Sequence, residues 1–170
     1  MDGMVHVYTG NGKGKTTSAI GLAVRAAGAG LKVYIGQFVK GRQYSELNIL
    51  DKLDNIDIEQ FGKKNFIKNN AEEIDIKKAK EGYRKIQKVL NSNFYDLIIL
   101  DEANIAVYFD LFSVEDLLDL IEKRNQEIEV VLTGRMANNK IIEYADLVTE
   151  MKEIKHYYKK GITARKGIEN

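Results

Sequence analysis

Residues 10–17, GNGKGKTT, place three glycines, two lysines and two threonines in eight consecutive positions. Glycines at 10, 12 and 14 let a backbone curl with its N–H groups inward at the positive end of the following helix, which makes an anion cradle. Lys13 and Lys15 add charge, and Thr16 offers a hydroxyl where a G-x-x-x-x-G-K-[ST] phosphate loop ligates Mg²⁺. The loop is one residue shorter than that pattern: the position that calls for the first glycine is Thr9, and the first glycine is Gly10. Triphosphate binding is the chemistry indicated, and the short spacing asks whether the phosphates are hydrolysed or held for another purpose.

A second group of residues follows an apolar run. In YDLIILDEAN, residues 97–100 read as a buried strand that delivers Asp101 and Glu102 to its carboxyl end, expected beside the first strand. Alone, two acids there would cap a helix; with the glycine loop present they point to a metal-related role, Glu102 either polarising water or holding Mg²⁺. VVLTGR ends a later strand with Thr133 and Arg135, which either reach phosphate oxygens or form a glycine turn and a solvated arginine. IGQFVKG places Gln37 and Lys40 similarly. Arg25, ten residues beyond Lys15, contacts the nucleotide or a partner subunit, or is simply surface. His6 and His156 are too few for a zinc site, and His6, inside a strand, reads as structural.

These residues need a scaffold that brings strand ends together. Short β-rich runs at 4–9, 31–38, 56–61, 95–100 and 128–133, with a weaker sixth at 146–151, alternate with helical patterns at 15–27, 72–90 and 113–124. That alternation predicts an α/β fold, an open and mostly parallel sheet flanked by helices, with ligands beyond the carboxyl ends of the strands. The stretch GKKNFIKNNA, residues 62–71, reads as a loop, and the basic, aromatic end KEIKHYYKKGITARKGIEN as a solvated edge and tail.

The 170 residues fit one domain, with no proline, repeat or low-complexity tract to mark a boundary. At 44% apolar and 30% charged residues with net charge +1, the chain has no charge footprint for nucleic acid or membrane, so small-molecule substrates are the expected partners. The absence of cysteine excludes disulfides and thiolate chemistry and suits a reducing cytoplasm. MDGMVHVYTG has neither the basic nor the apolar region of a secretory signal.

Together, VYTGNGKGKTTSAIGLAVRA, IGQFVKG, LDEANIAVYFDL, VVLTGR and EIKHYYKKGITARKGIE resemble the ATP:cob(I)alamin adenosyltransferases of corrinoid salvage and cobalamin synthesis. The short loop, the D-E-x-N-I-A block and the closing K-x-G-x-x-A-x-x-G-I carry the resemblance furthest. It implies a P-loop NTPase-like fold, and transfer of the 5′-deoxyadenosyl group of ATP to a Co(I) corrinoid with loss of the whole triphosphate. ATP is then held reversed relative to hydrolases. On that reading Gly10, Asn11, Gly12, Lys13, Gly14, Lys15, Thr16 and Thr17 bind the triphosphate, Arg25 contacts the nucleotide, and Thr16 and Glu102 hold Mg²⁺ or Mn²⁺. Lys15 and Glu102 are the candidate catalytic residues, and Phe66, Gln37 and Lys40 the candidate corrinoid contacts, with loop 62–71 expected over the corrin. A homodimer and a reductase or flavodoxin-type electron donor are the implied protein partners. Two features depart from the family: its aromatic Phe-x-Trp segment is represented only by Phe66, and its N-terminal extension has no counterpart before a first strand that starts at Met4. A P-loop ATPase, and a corrinoid- or ATP-binding module without alkyl transfer, are the competing readings.

Overall fold

The structure, a computed structural model, describes residues 2–65, 67 and 70–169. Strand β1 (Val5–Thr9) buries Val5 and Val7 and leaves His6 and Tyr8 partly exposed, the alternation of a pleated strand. The glycine loop leads into α1 (Lys15–Gly28), whose buried Ala19, Ala23 and Ala26 recur at helical spacing and let its backbone lie close to the sheet. There follow β2 (Val33–Phe38), α2 (Leu47–Leu50), β3 (Ile56–Phe61), α3 (Glu73–Leu90), β4 (Leu97–Asp101), α4 (Ala103–Tyr108) and α5 (Val114–Glu122). The chain continues through β5 (Glu129–Thr133), α6 (Asn139–Tyr144), β6 (Leu147–Glu150) and a 3₁₀ turn, Tyr157–Lys160.

The six strands form one sheet in the order β3-β2-β4-β5-β1-β6, every adjacent pair parallel. Alternation along each strand divides the apolar residues between two layers. Tyr34, Phe38, Ile98, Leu100, Val130 and Leu132 pack with Ile86 and Leu90 of α3 and Leu117 and Ile121 of α5. Val33, Ile35, Leu97, Ile99 and Val131 pack with the alanine face of α1 and with Leu50. The caps of α3 and α5 are local: Ser113 Oγ accepts from Asp116 N at 3.0 Å while the Asp116 carboxylate accepts from Ser113 N at 3.1 Å, and Glu72 and Asp75 make the equivalent box.

The α/β expectation holds, and the six strands fall within two residues of their expected positions. The short helices α2, α4 and α6 were not expected; at four to six residues each they carry too little periodicity to read from spacing. One expectation about neighbours fails. Strand β4 does not lie beside β1, because β5 pairs with both and separates them. The final segment is no free tail either: it runs back across the glycine loop, with Met151 N donating to Thr9 O at 2.8 Å and Gly12 N to Met151 O at 2.6 Å. Among the described residues no helix is long and apolar enough to cross a membrane.

Candidate nucleotide site

Parallel pairing brings the ends of β1, β2, β4 and β5 to one edge of the sheet, and the cleft of about 650 Å³ opens there. Asn11 to Thr17 line it from the loop side, with Lys40, Tyr44, Glu102 and Arg135 opposite. Gly14 precedes α1 at φ 122°, a conformation that L side chains rarely adopt. A Cβ on Gly12 would stand 2.7 Å from Met151 O, so the segment after β6 backs the loop closely enough to require glycine there. Unlike α3 and α5, α1 has no side-chain cap and no acid in its first turn. Its leading N–H groups and positive dipole end therefore face the cleft without a built-in carboxylate.

Lys15 is buried, and its Nζ donates to Gly10 O and Gly12 O at 2.7 Å each. Burial lowers its pKa, with Glu102 pulling the other way. Lys13 extends to the C-terminal segment instead, where Nζ donates to Glu169 Oε1 at 2.8 Å, Ile168 O at 2.9 Å and Tyr157 Oη at 3.2 Å. Glu169 also accepts from Arg165 N and from the Tyr157 hydroxyl, and the hydrogen bonds of Arg165, Lys13 and Tyr157 hold its pKa far below the usual carboxylate range. This knot makes Gly167, Ile168 and Glu169 a wall of the cleft. The reading of 152–170 as a solvated tail missed it, because the contact spans 156 positions.

Asp101 is the buried hub. Its Oδ1 accepts from Thr133 Oγ1 at 2.7 Å and Thr16 Oγ1 at 2.8 Å; its Oδ2 accepts from Lys40 Nζ at 2.7 Å and Gln37 Nε2 at 3.0 Å. Burial alone would raise the Asp101 pKa, but the charge of Lys40 and these hydrogen bonds outweigh it and the net shift is downward. Lys40 shows the complement: burial pulls it down, and Asp101 raises it further. Glu102, at the head of α4, adopts a left-handed backbone at φ 58°, a strained conformation for a residue with a Cβ. Its N–H is held by Thr133 Oγ1 at 3.0 Å, and its carboxyl faces the cleft, where burial and then the neighbouring Asp101 raise its pKa.

Several expected site residues lie elsewhere than their sequence positions suggested. Thr133 is fully buried, with its hydroxyl committed to Asp101 and Glu102 rather than to a phosphate. Gln37 is likewise buried, bonded to Asp101 and accepting from Gln60 Nε2 at 3.0 Å, and is not part of the cleft wall. Arg25 is exposed in the last turn of α1, ~15 Å along the helix from Lys15, and is not part of the cleft wall. Phe66 lies outside the described residues; the base of its loop is tied to α3 by Lys63, whose Nζ is 2.8 Å from Glu72 and 3.0 Å from Asp75. A second cavity of about 360 Å³ adjoins the cleft. Val39, Ile67, Ile105 and Phe109 give it apolar walls, and Lys40, Glu102 and Arg135 are common to both. Asn104 was missed: fully buried, its Nδ2 donates to Gly134 O at 3.2 Å and holds the turn that presents Arg135.

A parallel sheet whose glycine loop opens an uncapped helix at the strand ends places the chain among P-loop nucleotide-binding folds. Within that class, residues 1–170 match the model of the family described as ATP:corrinoid adenosyltransferase BtuR/CobO/CobP, and the chain belongs to that family. It is similar to the corrinoid adenosyltransferase of Pseudomonas aeruginosa, 36% identical over 169 residues covering 98% of this chain and 83% of that protein. The corrinoid adenosyltransferase of Escherichia coli K12 is 33% identical, and corrinoid adenosyltransferase CobA of Salmonella typhimurium 31%. Each alignment covers 98% of this chain and 85% of the relative.

Proposed function

We propose that the chain transfers the 5′-deoxyadenosyl group of ATP to the cobalt of a Co(I) corrinoid and releases triphosphate. The observation that carries this reading is the pair of adjoining cavities: a polar, cation-rich cleft behind the glycine loop and an apolar one that shares Lys40, Glu102 and Arg135 with it. Family membership over the whole chain supports the same assignment. The two apolar layers share one sheet, which supports treating 1–170 as a single unit.

In the transfer, the cobalt electron pair forms the Co–C5′ bond, the C5′–O bond breaks, and its electron pair leaves on the triphosphate. Co(I) is already a strong nucleophile, so the protein has no proton to remove; it aligns C5′ and stabilises charge on the leaving group. Lys15 and the first-turn N–H groups of α1 do the latter from fixed positions, and Arg135 adds charge at the cleft. The apolar walls of the second cavity hold the corrin edge and exclude water from the shared boundary.

The donor set fits a Mg²⁺ or Mn²⁺ ion. The Thr16 hydroxyl and the Glu102 carboxylate are hard oxygen donors on one cleft, the kind that leave substrate phosphates to complete the shell. Thr16 and Glu102, both on the cleft, would hold the ion, which supplies neutralisation of the departing triphosphate. Glu102→Gln is expected to raise the metal concentration for half-activity about 10-fold or more, since a neutral amide is a poorer ligand for a hard cation. Unchanged metal dependence would remove Glu102 from the ion.

The deciding experiment incubates the chain with MgATP and chemically reduced corrinoid without oxygen, then resolves the products by chromatography. Triphosphate in equal amount to a light-sensitive cobalt–carbon product is expected. Stoichiometric ADP and orthophosphate, independent of corrinoid, would establish a hydrolase instead, and binding without any product a module that has lost transfer. The same reading brings a homodimer, checked by sedimentation, and an electron donor of the reductase or flavodoxin type to supply Co(I). A reducing cytoplasm suits both that oxidation state and a chain without cysteine.

A further inference from the structure

The two side chains that phosphate-loop sites commonly turn on their metal ion are the loop Ser or Thr and the Asp at the end of a neighbouring strand. In this chain an ammonium already bridges them. Lys40 Nζ donates to Asp101 Oδ2 at 2.7 Å and to Thr16 Oγ1 at 3.2 Å, with the Tyr44 ring centroid 5.4 Å away on another side. The Lys40 side chain is only 11% exposed. An ionised carboxylate offers about four acceptor positions, and Asp101 spends all of them, on Thr16, Thr133, Lys40 and Gln37. Glu102 differs: it faces the cleft from the next position, and its left-handed backbone departs from the strand that buries Asp101.

We propose that Lys40 is a resident cation that excludes divalent metal from Asp101, so that Glu102 is the carboxylate left open to the ion. The physical reason is competition for the same oxygens. A divalent cation at Asp101 would need a lone pair that the ammonium occupies, whereas the Thr16 hydroxyl, which donates to Asp101 and accepts from Lys40, keeps one lone pair for an ion shared with Glu102. Lys40 thereby acts as a positioning residue for the metal while it neutralises the buried acid.

The inference rests on the metal reading above, but it is tested in the nucleotide-free chain, so failure of alkyl transfer does not bear on it. Mn²⁺ binding is followed by the electron paramagnetic resonance of the free ion, together with the melting temperature with and without Mn²⁺. Wild type and Lys40→Arg are expected to bind weakly. Lys40→Met and Lys40→Gln should bind at least ~10-fold tighter and gain melting temperature on addition of Mn²⁺, because the bridge position then accepts the ion. Adding Asp101→Asn to Lys40→Met should abolish the gain. A purely structural lysine predicts lost stability with no gain in metal affinity, and that result overturns the proposal. So does tighter binding that survives Asp101→Asn, or neutral variants that stay unfolded at millimolar Mn²⁺, since a divalent cation then cannot replace the ammonium.

Discussion

Lys15→Ala is expected to lower turnover by at least ~10²-fold, the scale of loss when one preorganised stabiliser of developing charge is removed. Two features make the effect large. The ammonium is buried at the start of α1, beside the positive dipole end and the uncapped first-turn N–H groups that face the cleft. It also ties Gly10 O to Gly12 O at 2.7 Å each, so its loss frees the loop whose curvature presents those N–H groups. Lys15→Arg should not restore activity, because a planar guanidinium cannot take the place of a compact ammonium between two carbonyls. The measurement is kcat/KM for ATP at subsaturating concentration, with corrinoid in excess. Near-wild-type values would place the triphosphate elsewhere than the glycine loop.

The second large effect is on stability. Asp101→Ala removes the acceptor for Thr16, Thr133, Gln37 and Lys40 at once and leaves a mostly buried ammonium without its counter-ion. Breaking a buried pair from one side costs about 3–5 kcal/mol. A drop of that size is expected in urea unfolding, read as a lower midpoint at unchanged slope. Lys40→Met in the same chain should return part of the loss, because the stranded charge goes with it. A cost below about 1 kcal/mol, the scale of an exposed pair, would mean that water reaches the cluster and that Asp101 is no hub.

The loop and the paired acid were legible because each is a local pattern. Glycine spacing sets where backbone N–H groups can curl, and a run of apolar residues ending in Asp101 and Glu102 marks a strand end. The same pattern does not say which strands are neighbours. β1 alternates while β4 and β5 are buried along almost their whole length, but neither pattern names a neighbour, and so the insertion of β5 between the other two could not be read from it. Thr133 shows the consequence: as a residue after a strand it looked free to meet a phosphate, but adjacency to β4 commits its hydroxyl to Asp101. Lys40 shows the opposite case, a surface-type residue that tertiary contact turns into the cation of a buried cluster.

By itself, then, the amino-acid order marked the six strands, the three longer helices and the glycine loop with its phosphate-binding pattern, since capping, glycine curvature and hydrophobic period act within a few residues. Tertiary structure decided which groups meet: Asp101 with Thr16 across 85 positions, and Glu169 with Lys13 across 156. Such pairs have no local signature, because the free energy that brings them together comes from the burial of two apolar layers on one sheet. The cleft wall formed by Gly167, Ile168 and Glu169 exists for that reason alone: the packed sheet carries β6 beside β1, and the chain leaving β6 has the glycine loop within hydrogen-bonding reach.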